Sequence, residues 1–366
     1  MKIMIPRLDL VSLIGKIQNI VPTKPAIPIL GNVLIEAIDD ELIVSATDLT
    51  VSVRAYAHVK VEEEGSIALP ARRFFQLIRE LTAPQIEMHT LSPETALINA
   101  GDSHFKIHGM HKNEFPTLPN LLEEVQFSIF PASLKELLSC SAFAAARDDS
   151  RQVLNGVLLQ NTNQIVTFIG ADGKRLAKIH SKADSPQNYS GSHVIPLKAV
   201  EEMIRILDVK EEEPVKITLM SDKIALTLKS MTLISKLLSG EFPDVCSIIP
   251  TPKEQLISLH REELISLLRQ VSLFTSENHN CVRFSFTTGE LHLSAAAGEI
   301  GEGKVTMPVN YSGEKLVIAF NPIYFLDILR HSKDETVNFN ITDSYNPALI
   351  TDSSTAQFVL MPMRLD

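Results

Sequence analysis

The chain of 366 residues contains the same order of segments three times. Each third opens with a stretch in which Leu and Ile recur at i, i+3 and i+4, and in the first and third stretches Ile17 and Val271 continue the pattern at i+7. The first leucines of these stretches, Leu10, Leu134 and Leu264, lie 124 and 130 residues apart. This spacing predicts a helix with one buried stripe. A unit of this length, repeated in a chain too long for one compact core, predicts three homologous domains.

Two further features recur with the same period. A pair of alternating, strand-like runs with a short polar turn follows each helix, which predicts a β-hairpin. Equivalent positions in the first run are held by Val33, Val157 and Val282. A second amphipathic helix follows, centred on Phe74, Val200 and Phe325. The order predicts an α+β fold in which each domain packs two helices on antiparallel sheet. We place the domains at residues 1–122, 123–248 and 249–366.

Composition restricts the class of protein. The net charge is −10, and the three cysteines, Cys140, Cys246 and Cys281, are widely spread. An odd number of scattered cysteines argues against a disulfide framework or a zinc site and favours a reducing cytoplasm. No apolar run is long enough to span a membrane, and the first residues do not have the pattern of a signal peptide. We expect no membrane association and no cofactor.

Basic residues recur at one phase of the helices. Relative to Phe74, Arg72 and Arg79 point away from the predicted core. Residues of the same phase on the other helices are Lys198, Arg205, Arg269 and Arg330. Polar helix faces often carry charge without further meaning. Even so, an arginine recurs at the same phase in all three domains. If the domains surround an axis, these arginines form a common basic surface, and a protein that encloses a polyanion needs such a surface.

Several segments closely resemble the bacterial DNA polymerase III beta subunits, the sliding clamps. They are PAIPILGNVLIE, TDLTVSV, LPARRFF, RQVLNGVLL, ADGKRLAK, LLSGEFPD and the terminal FVLMPMRL, and they cover the chain in order. The resemblance implies three repeated clamp domains per chain, with two chains head to tail in a ring, helices lining the hole and sheets outside. It implies a non-enzymatic processivity factor of DNA replication. Such a ring encircles double-stranded DNA without reading sequence, and it tethers the replicative polymerase subunit, the clamp loader and other clamp-binding proteins.

The resemblance also implies site residues. A DNA-facing Lys24 joins the helix residues. A hydrophobic cleft for partner peptides carrying Gln, Leu and Phe would be formed by Leu154, Ala171, Gly173, Arg175, Leu176, Pro243, Ile248, Val359, Leu360, Met361, Pro362 and Met363. Apolar, Met-containing grooves accept several partners because Met repacks easily. Ala171, Lys174 and Ser247 depart from the residues common in the family, which leaves the peptide preference open.

A head-to-tail ring needs an interface between chains. An exposed apolar edge strand must be paired or protected, and head-to-tail contacts can close a ring. We therefore expect the edge near Phe105 and Ile107 of one chain to meet the helix end near Leu273 and Phe274 of the other.

Two other hypotheses remain open. A three-domain enzyme acting on nucleic acid or nucleotides would need a phosphate loop or a cluster of carboxylates. Gly298–Lys304 has the spacing of a phosphate loop, but it lacks a hydroxyl residue after the lysine and runs into a strand-like segment. His104, His108 and His111 are better explained by a surface strand than by a metal site. A degenerate clamp that binds partners without encircling DNA is the third possibility, and the repeated arginine phase argues against it.

Overall fold

The computed structural model describes residues 1–119, 125–186, 189–251, 256–276 and 280–364. The predicted domain boundary at Glu123 lies outside these residues. The described residues form six α-helices, two in each third of the chain. They are α1 (Arg7–Ile17), α2 (Ala71–Glu80), α3 (Pro131–Ala142), α4 (Leu197–Ile206), α5 (Arg261–Ser272) and α6 (Pro322–His331).

Strands make up most of the remaining regular structure. The first third contains β1 (Lys2–Pro6), β2 (Asn32–Ile38), β3 (Glu41–Thr47), β4 (Val51–His58), β5 (Lys60–Glu63), β6 (Gly65–Pro70), β7 (Gln85–Ser92), β8 (Thr95–Ala100) and β9 (Ser103–His108). The second contains β10 (Val125–Ile129), β11 (Gly156–Thr162), β12 (Ile165–Ala171), β13 (Arg175–Lys182), β14 (Ser190–Pro196), β15 (Val215–Leu219), β16 (Lys223–Leu228) and β17 (Met231–Lys236). The third contains β18 (Ile257–His260), β19 (Val282–Thr287), β20 (Glu290–Ala297), β21 (Gly301–Pro308), β22 (Leu316–Phe320), β23 (Thr336–Asn340), β24 (Ala348–Thr351) and β25 (Gln357–Leu360).

The repeated elements predicted from the sequence are present. The three predicted hairpins are β2–β3, β11–β12 and β19–β20, each antiparallel. Their turns contain residues with positive φ, namely Asp39, Asn163 with Gln164, and Gly289. Asn, Asp and Gly favour this conformation, which tight hairpin turns require.

The helices bury the stripes that their periodicity predicts. Leu10, Leu13, Ile14 and Ile17 of α1 are all buried. The residues that the same spacing selects in α3 and α6 are buried as well, namely Leu134, Leu137, Leu138, Phe325, Ile328 and Leu329. Leu77 of α2, Ile204 of α4 and Leu267 of α5 are only partly buried. These three residues flank the stripe, where a helix on a sheet is still reached by solvent.

One compact unit comprises Met1–Ala132, Asp184–Pro186 and Glu201–Leu237. It contains a five-stranded sheet, β5-β1-β7-β8-β9, and an eight-stranded sheet, β10-β15-β16-β17-β4-β3-β2-β6. The larger sheet crosses the border between the first and second repeats, since β17 pairs with β4 and places Leu233 opposite Val53. Helix α1 packs on α2 and on β4.

The other compact unit comprises Ser133–Ala183, Gln187–Val200 and Leu238–Asp366. Its eight-stranded sheet, β14-β11-β12-β13-β25-β24-β23-β18, crosses the border between the second and third repeats through the β13–β25 pair. A four-stranded sheet has the order β21-β20-β19-β22. The compact units therefore cut across the sequence repeats, because backbone hydrogen bonds continue from one repeat into the next.

Aromatic side chains fill the core of the third repeat. Phe284, Phe320, Phe325 and Phe339 are fully buried, and their ring centroids lie 5.1 to 6.5 Å apart. Each buried Phe contributes about 1.5–3 kcal/mol of transfer free energy, and most of these pairs are tilted or edge-to-face, arrangements that aromatic rings prefer. This cluster fixes α6 against β19, β22 and β23.

Candidate functional sites

The first unit brings several predicted DNA-facing residues together. Arg72 and Arg79 lie exposed on α2, opposite the buried Phe74. The Arg72 guanidinium donates to the Thr23 hydroxyl at 2.7 Å, so it lies beside the loop that carries the exposed Lys24. Arg7, at the start of α1, donates to the Arg79 carbonyl at 3.3 Å. Arg7 was not among the predicted DNA-facing residues, although its position at the N-terminal end of the amphipathic stretch of α1 could have indicated it.

Arg205 shares a depression with a second unpredicted cation. The depression has a volume of about 470 Å³, and its lining includes Lys16 of α1 together with Arg205. Arg205 forms an ion pair with Glu202, whose side chain is 6% exposed. Lys198 lies on the same helix two turns earlier and is exposed.

In the second unit, Arg269 and Arg330 are exposed on α5 and α6, which pack against each other. Arg330 pairs with Asp327 at 3.1 Å. No ion pair involves Arg269 among the residues that the structure describes. Each predicted basic residue therefore lies on an exposed helix face or loop. Arg205 and Arg330 already form ion pairs with carboxylates of the same chain.

The charge of the helices differs in sign from that of the remaining chain. The six helices of the described residues contain 11 Lys and Arg and eight Asp and Glu, a net +3. Since the whole chain carries −10, the residues outside these helices carry −13. The cations are thus concentrated on the elements where the sequence predicted them.

Predicted cleft residues share one apolar cluster in the second unit. Leu154, Ala171, Leu176 and Val359 are buried in contact with a set that sequence reasoning did not name, and Phe242 and Ile249 pack against them. The additional buried members are Ala146, Leu158, Ile169, Val194, Val245 and Leu349. Four of these additional residues, Leu158, Ile169, Val194 and Leu349, lie on strands within runs of consecutive buried residues. Only Leu158 and Ile169 belong to a hairpin that the sequence predicted. The cluster forms a floor rather than a contact surface, because its members are nearly inaccessible.

The loop between β12 and β13 attaches the C-terminal segment. Asp172 accepts hydrogen bonds from the backbone N–H groups of Lys174 and Arg175 at 2.9 Å, and Gly173 has φ +82°, a conformation that glycine adopts without strain. The Met361 N–H donates to the Lys174 carbonyl at 2.9 Å, and the Met363 N–H donates to the Ala319 carbonyl at 2.8 Å. These bonds position the tail beside the loop.

Arg175 holds the loop to α6. Its side chain is only 11% exposed and pairs with Asp172 at 3.1 Å and with Asp327 at 2.8 Å. The guanidinium also lies 4.5 Å from the ring centroid of Tyr324 and 5.4 Å from that of Phe143. A buried arginine with two carboxylates and two aromatic rings fixes the geometry of its surroundings, and little of it is left to contact another molecule.

Exposed apolar side chains adjoin the residues of this floor along the chain. Ile248 is 47% exposed and Met361 is 40% exposed. Pro243 is exposed, Pro362 and Met363 are half-buried, and Leu360 is fully buried. Accessible apolar residues that adjoin a buried apolar cluster are a feature expected of a binding groove.

The predicted interface residues lie at two sheet edges. Strand β9 is an edge of the five-stranded sheet, with Ile107 buried and Phe105 half-buried. Strand β21 is an edge of the four-stranded sheet. Phe274 packs on it, since a Cβ atom at Gly303 would lie 2.5 Å from Phe274 Cδ2. Leu273 is 73% exposed.

The motifs set aside in the sequence have ordinary structural roles. Within Gly298–Lys304, residues 298–300 form the turn from β20 into β21, and the remaining four residues begin β21, so a strand and not a helix follows the turn. His104 bonds the Asn99 side chain at 2.8 Å, while the His111 ring accepts the Asn113 N–H at 3.0 Å. Within the described ranges, no three His, Cys, Asp or Glu side chains form a group that could hold a metal ion.

Comparison with known proteins decides the family. Models of the three domains of the DNA polymerase III beta subunit match residues 1–119 (N-terminal), 128–244 (central) and 246–364 (C-terminal). The chain belongs to the DNA polymerase III beta subunit family. The beta sliding clamp of Chlamydia pneumoniae is 50% identical over 365 residues, covering 100% of this chain and 99% of the relative. That of Escherichia coli K12 is 30% identical over 368 residues, with both chains fully covered.

Solved structures agree with this assignment. The crystal structure of the DNA polymerase sliding clamp from Pseudomonas aeruginosa has a TM-score of 0.95 and 29% identity, with both chains fully covered. The predicted fold class, three repeated clamp domains with helices on antiparallel sheet, is confirmed, as is the resemblance. As a member of this family, the beta subunit described here is a DNA sliding clamp and an accessory subunit of DNA polymerase III.

The α-helices in the described part of this beta subunit have at most 12 residues. None of them has both the length and the apolar character needed to cross a membrane.

Proposed function

We propose that two copies of this chain close head to tail into a ring that encircles double-stranded DNA without reading its sequence. The observation that carries the proposal is the net +3 of the helices against −13 elsewhere. Basic helices lining the hole would neutralise phosphates, while the acidic remainder would repel DNA from the outside. The domains would extend over residues 1–122, 123–248 and 249–366. The chain itself would catalyse no reaction.

Subunit closure would use the two sheet edges. Edge strand β9 of one chain would lie against β21 of the other, which protects both edges from other pairings. Phe105 and Ile107 would face Leu273 and Phe274. The exposed Leu273 supports this interface, because a large apolar side chain at a helix end is normally covered.

The apolar groove would hold partner peptides. The replicative polymerase subunit, the clamp loader and other clamp-binding proteins would each insert apolar anchors over the floor formed by Leu154, Ala171, Leu176 and Val359. Ile248, Met361 and Met363 would contact the peptide directly. Arg175 would act as a positioning residue, since its carboxylate partners hold it in the wall. The proposed place of action is the cytoplasm, where bacterial replication occurs.

Removing two helix cations should weaken DNA binding and reduce its salt dependence. We expect Arg79→Ala combined with Arg269→Ala to lower the slope of log K against log salt by about 0.9 for each phosphate that is no longer neutralised. These two residues are preferable to Arg205, whose removal would take the ion-pair partner from the buried Glu202, and to Arg330, whose removal would disturb the Asp327 carboxylate that also holds Arg175. The measurement is fluorescence anisotropy with linear duplexes of several sequences across salt concentrations.

The control for this experiment removes the same charge elsewhere. Lys112 and Lys210 are exposed and lie outside the six α-helices, so their alanine variants should leave the slope unchanged. A slope that stays the same in the Arg79 and Arg269 variant, or a sequence preference in the unmodified protein, would contradict the proposed hole.

Alkylation of Cys246 should block peptide binding. Burial raises the pKa of the Cys140 thiol to about 11 and also raises the pKa of Cys281, whereas Cys246 is exposed. Because the thiolate is the reactive form, a bulky maleimide at pH 8 should label Cys246 first. Cys246 lies between Pro243 and Ile248, so the label should weaken peptide binding about tenfold or more.

The matched control is the Cys246→Ser variant treated with the same reagent, which should keep its peptide affinity. Full affinity of the labelled protein, with the label mapped to Cys246, would place the peptide elsewhere.

A further inference from the structure

A basic depression lies on the four-stranded sheet of the third repeat. Its volume is about 710 Å³, and its charged and hydroxyl-bearing lining consists of Ser276, Arg283, Ser294, Glu302, Lys304 and Arg364. Helix α5 packs on β20 and β21 and covers the buried Leu291 and Leu293. Ser294 has the opposite parity along β20, so it points to the face away from α5.

The strand register aligns the two cations of the sheet. Arg283 pairs with Ser294, and Ser294 pairs with Lys304. All three side chains therefore project from one row of the same face. Neighbouring strands lie about 4.8 Å apart, so roughly 10 Å separates the backbones of Arg283 and Lys304, with the Ser294 hydroxyl between them. An anionic group bound on this face of the sheet would have a cation on each side and the Ser294 hydroxyl beneath it.

The cations of the depression are exposed and without ion pairs. Within the described residues, no carboxylate pairs with Arg283, Lys304 or Arg364. Among the described residues of the lining, Glu302 is the one acidic residue, against three cations. No aromatic side chain is found in the part of the lining that the structure describes, whereas sites for single-stranded nucleic acid typically stack bases on aromatic rings. Guanidinium and ammonium groups without stacking partners favour carboxylates.

The tail connects the depression to the groove. Met363 hydrogen-bonds Ala319, which is itself paired with Arg283. Arg364 follows immediately, and it lies only three residues beyond the exposed Met361, a distance of at most about 10 Å along the chain. A peptide leaving the groove near Met361 would reach the cations within a few residues.

We propose that this depression is a second recognition site, which binds a carboxylate-rich segment adjoining the apolar anchors of a partner peptide. The proposal rests on the peptide groove of the proposed function. Arg283, two strands in from the β21 edge, would bind the acidic segment together with Lys304. Partners with acidic flanking residues would then be preferred over partners with the same anchors and neutral flanks.

The test compares synthetic peptides on the full-length protein. A parent peptide carrying the Gln, Leu and Phe anchors is measured by calorimetry beside versions extended by four Glu residues at either end. One of the two extensions should tighten binding about fivefold at low salt, as expected for two exposed charge pairs. This gain should disappear at 1 M salt, where charges are screened beyond about 3 Å. It should also disappear in the Arg283→Ala, Lys304→Ala variant, which should still bind the parent peptide normally.

Controls separate the possible outcomes. Lys182→Ala removes an exposed cation of the same unit and should keep the gain, and Arg283→Lys should keep part of it. If the parent peptide binds and neither extension changes its affinity, the second site is wrong while the groove stands. Failure of the parent peptide to bind refutes the groove itself. Weaker binding of oligo(dT) by the double variant, with the extended peptide unaffected, would assign the depression to nucleic acid and overturn the proposal.

Discussion

Replacing both Leu273 and Phe274 by aspartate is expected to convert a dimer into a monomer. Truncating one central interface side chain typically costs ~2 kcal/mol or more, which is about a 30-fold weaker dimer, and a buried carboxylate adds a larger penalty. Light scattering at micromolar concentration should give twice 40.5 kDa for the unmodified protein and 40.5 kDa for the variant.

Two further variants make this result specific. Phe274 also covers Gly303 of its own chain, so Leu273→Asp alone, at a side chain that is 73% exposed, tests the interface while leaving Phe274 in place. Val209→Asp introduces the same charge at an exposed apolar residue of the second repeat, and it should remain a dimer. A Leu273 and Phe274 double variant that keeps twice the chain mass would show that the interface lies elsewhere.

A chain that ends at Leu360 should lose measurable binding of polymerase-type peptides while remaining a dimer. The deletion removes Met361, Pro362 and Met363, the accessible apolar residues of the tail, and leaves the buried strand β25 in place. Removing two anchors at ~2 kcal/mol each corresponds to about a 1,000-fold decrease in affinity. This decrease in affinity is measured by calorimetry with a peptide that carries Gln, Leu and Phe.

The deletion also removes the hydrogen bonds from Met361 to Lys174 and from Met363 to Ala319. Thermal unfolding should therefore be compared, and Met361→Asp in the full-length chain should weaken peptide binding without removing these bonds. A chain ending at Arg364 keeps both bonds and should bind normally. Unchanged affinity of the chain ending at Leu360 would exclude the tail from the site.

Local patterns in the sequence determined the helices, the hairpins and the threefold repetition. The buried stripe of α1 is the set of residues that helical spacing selects, because a helix on a sheet can hide only one face. The exposed positions of Arg79, Arg205 and Arg330 follow from the same periodicity. Local patterns were not sufficient to identify the groove residues. Leu154, Leu176 and Met361 share no local pattern, and they were identified through family resemblance.

Only the tertiary structure decided how the repeats join and what surrounds each charge. Strands β4 and β17, and likewise β13 and β25, pair through backbone hydrogen bonds, which leave no mark on side-chain periodicity. The partners of Arg175 are equally invisible in the sequence, since Asp327 lies 152 residues away. The row formed by Arg283, Ser294 and Lys304 depends on the register of three strands. Register and long-range pairing are set by the fold as a whole, because each depends on which distant surfaces are buried together.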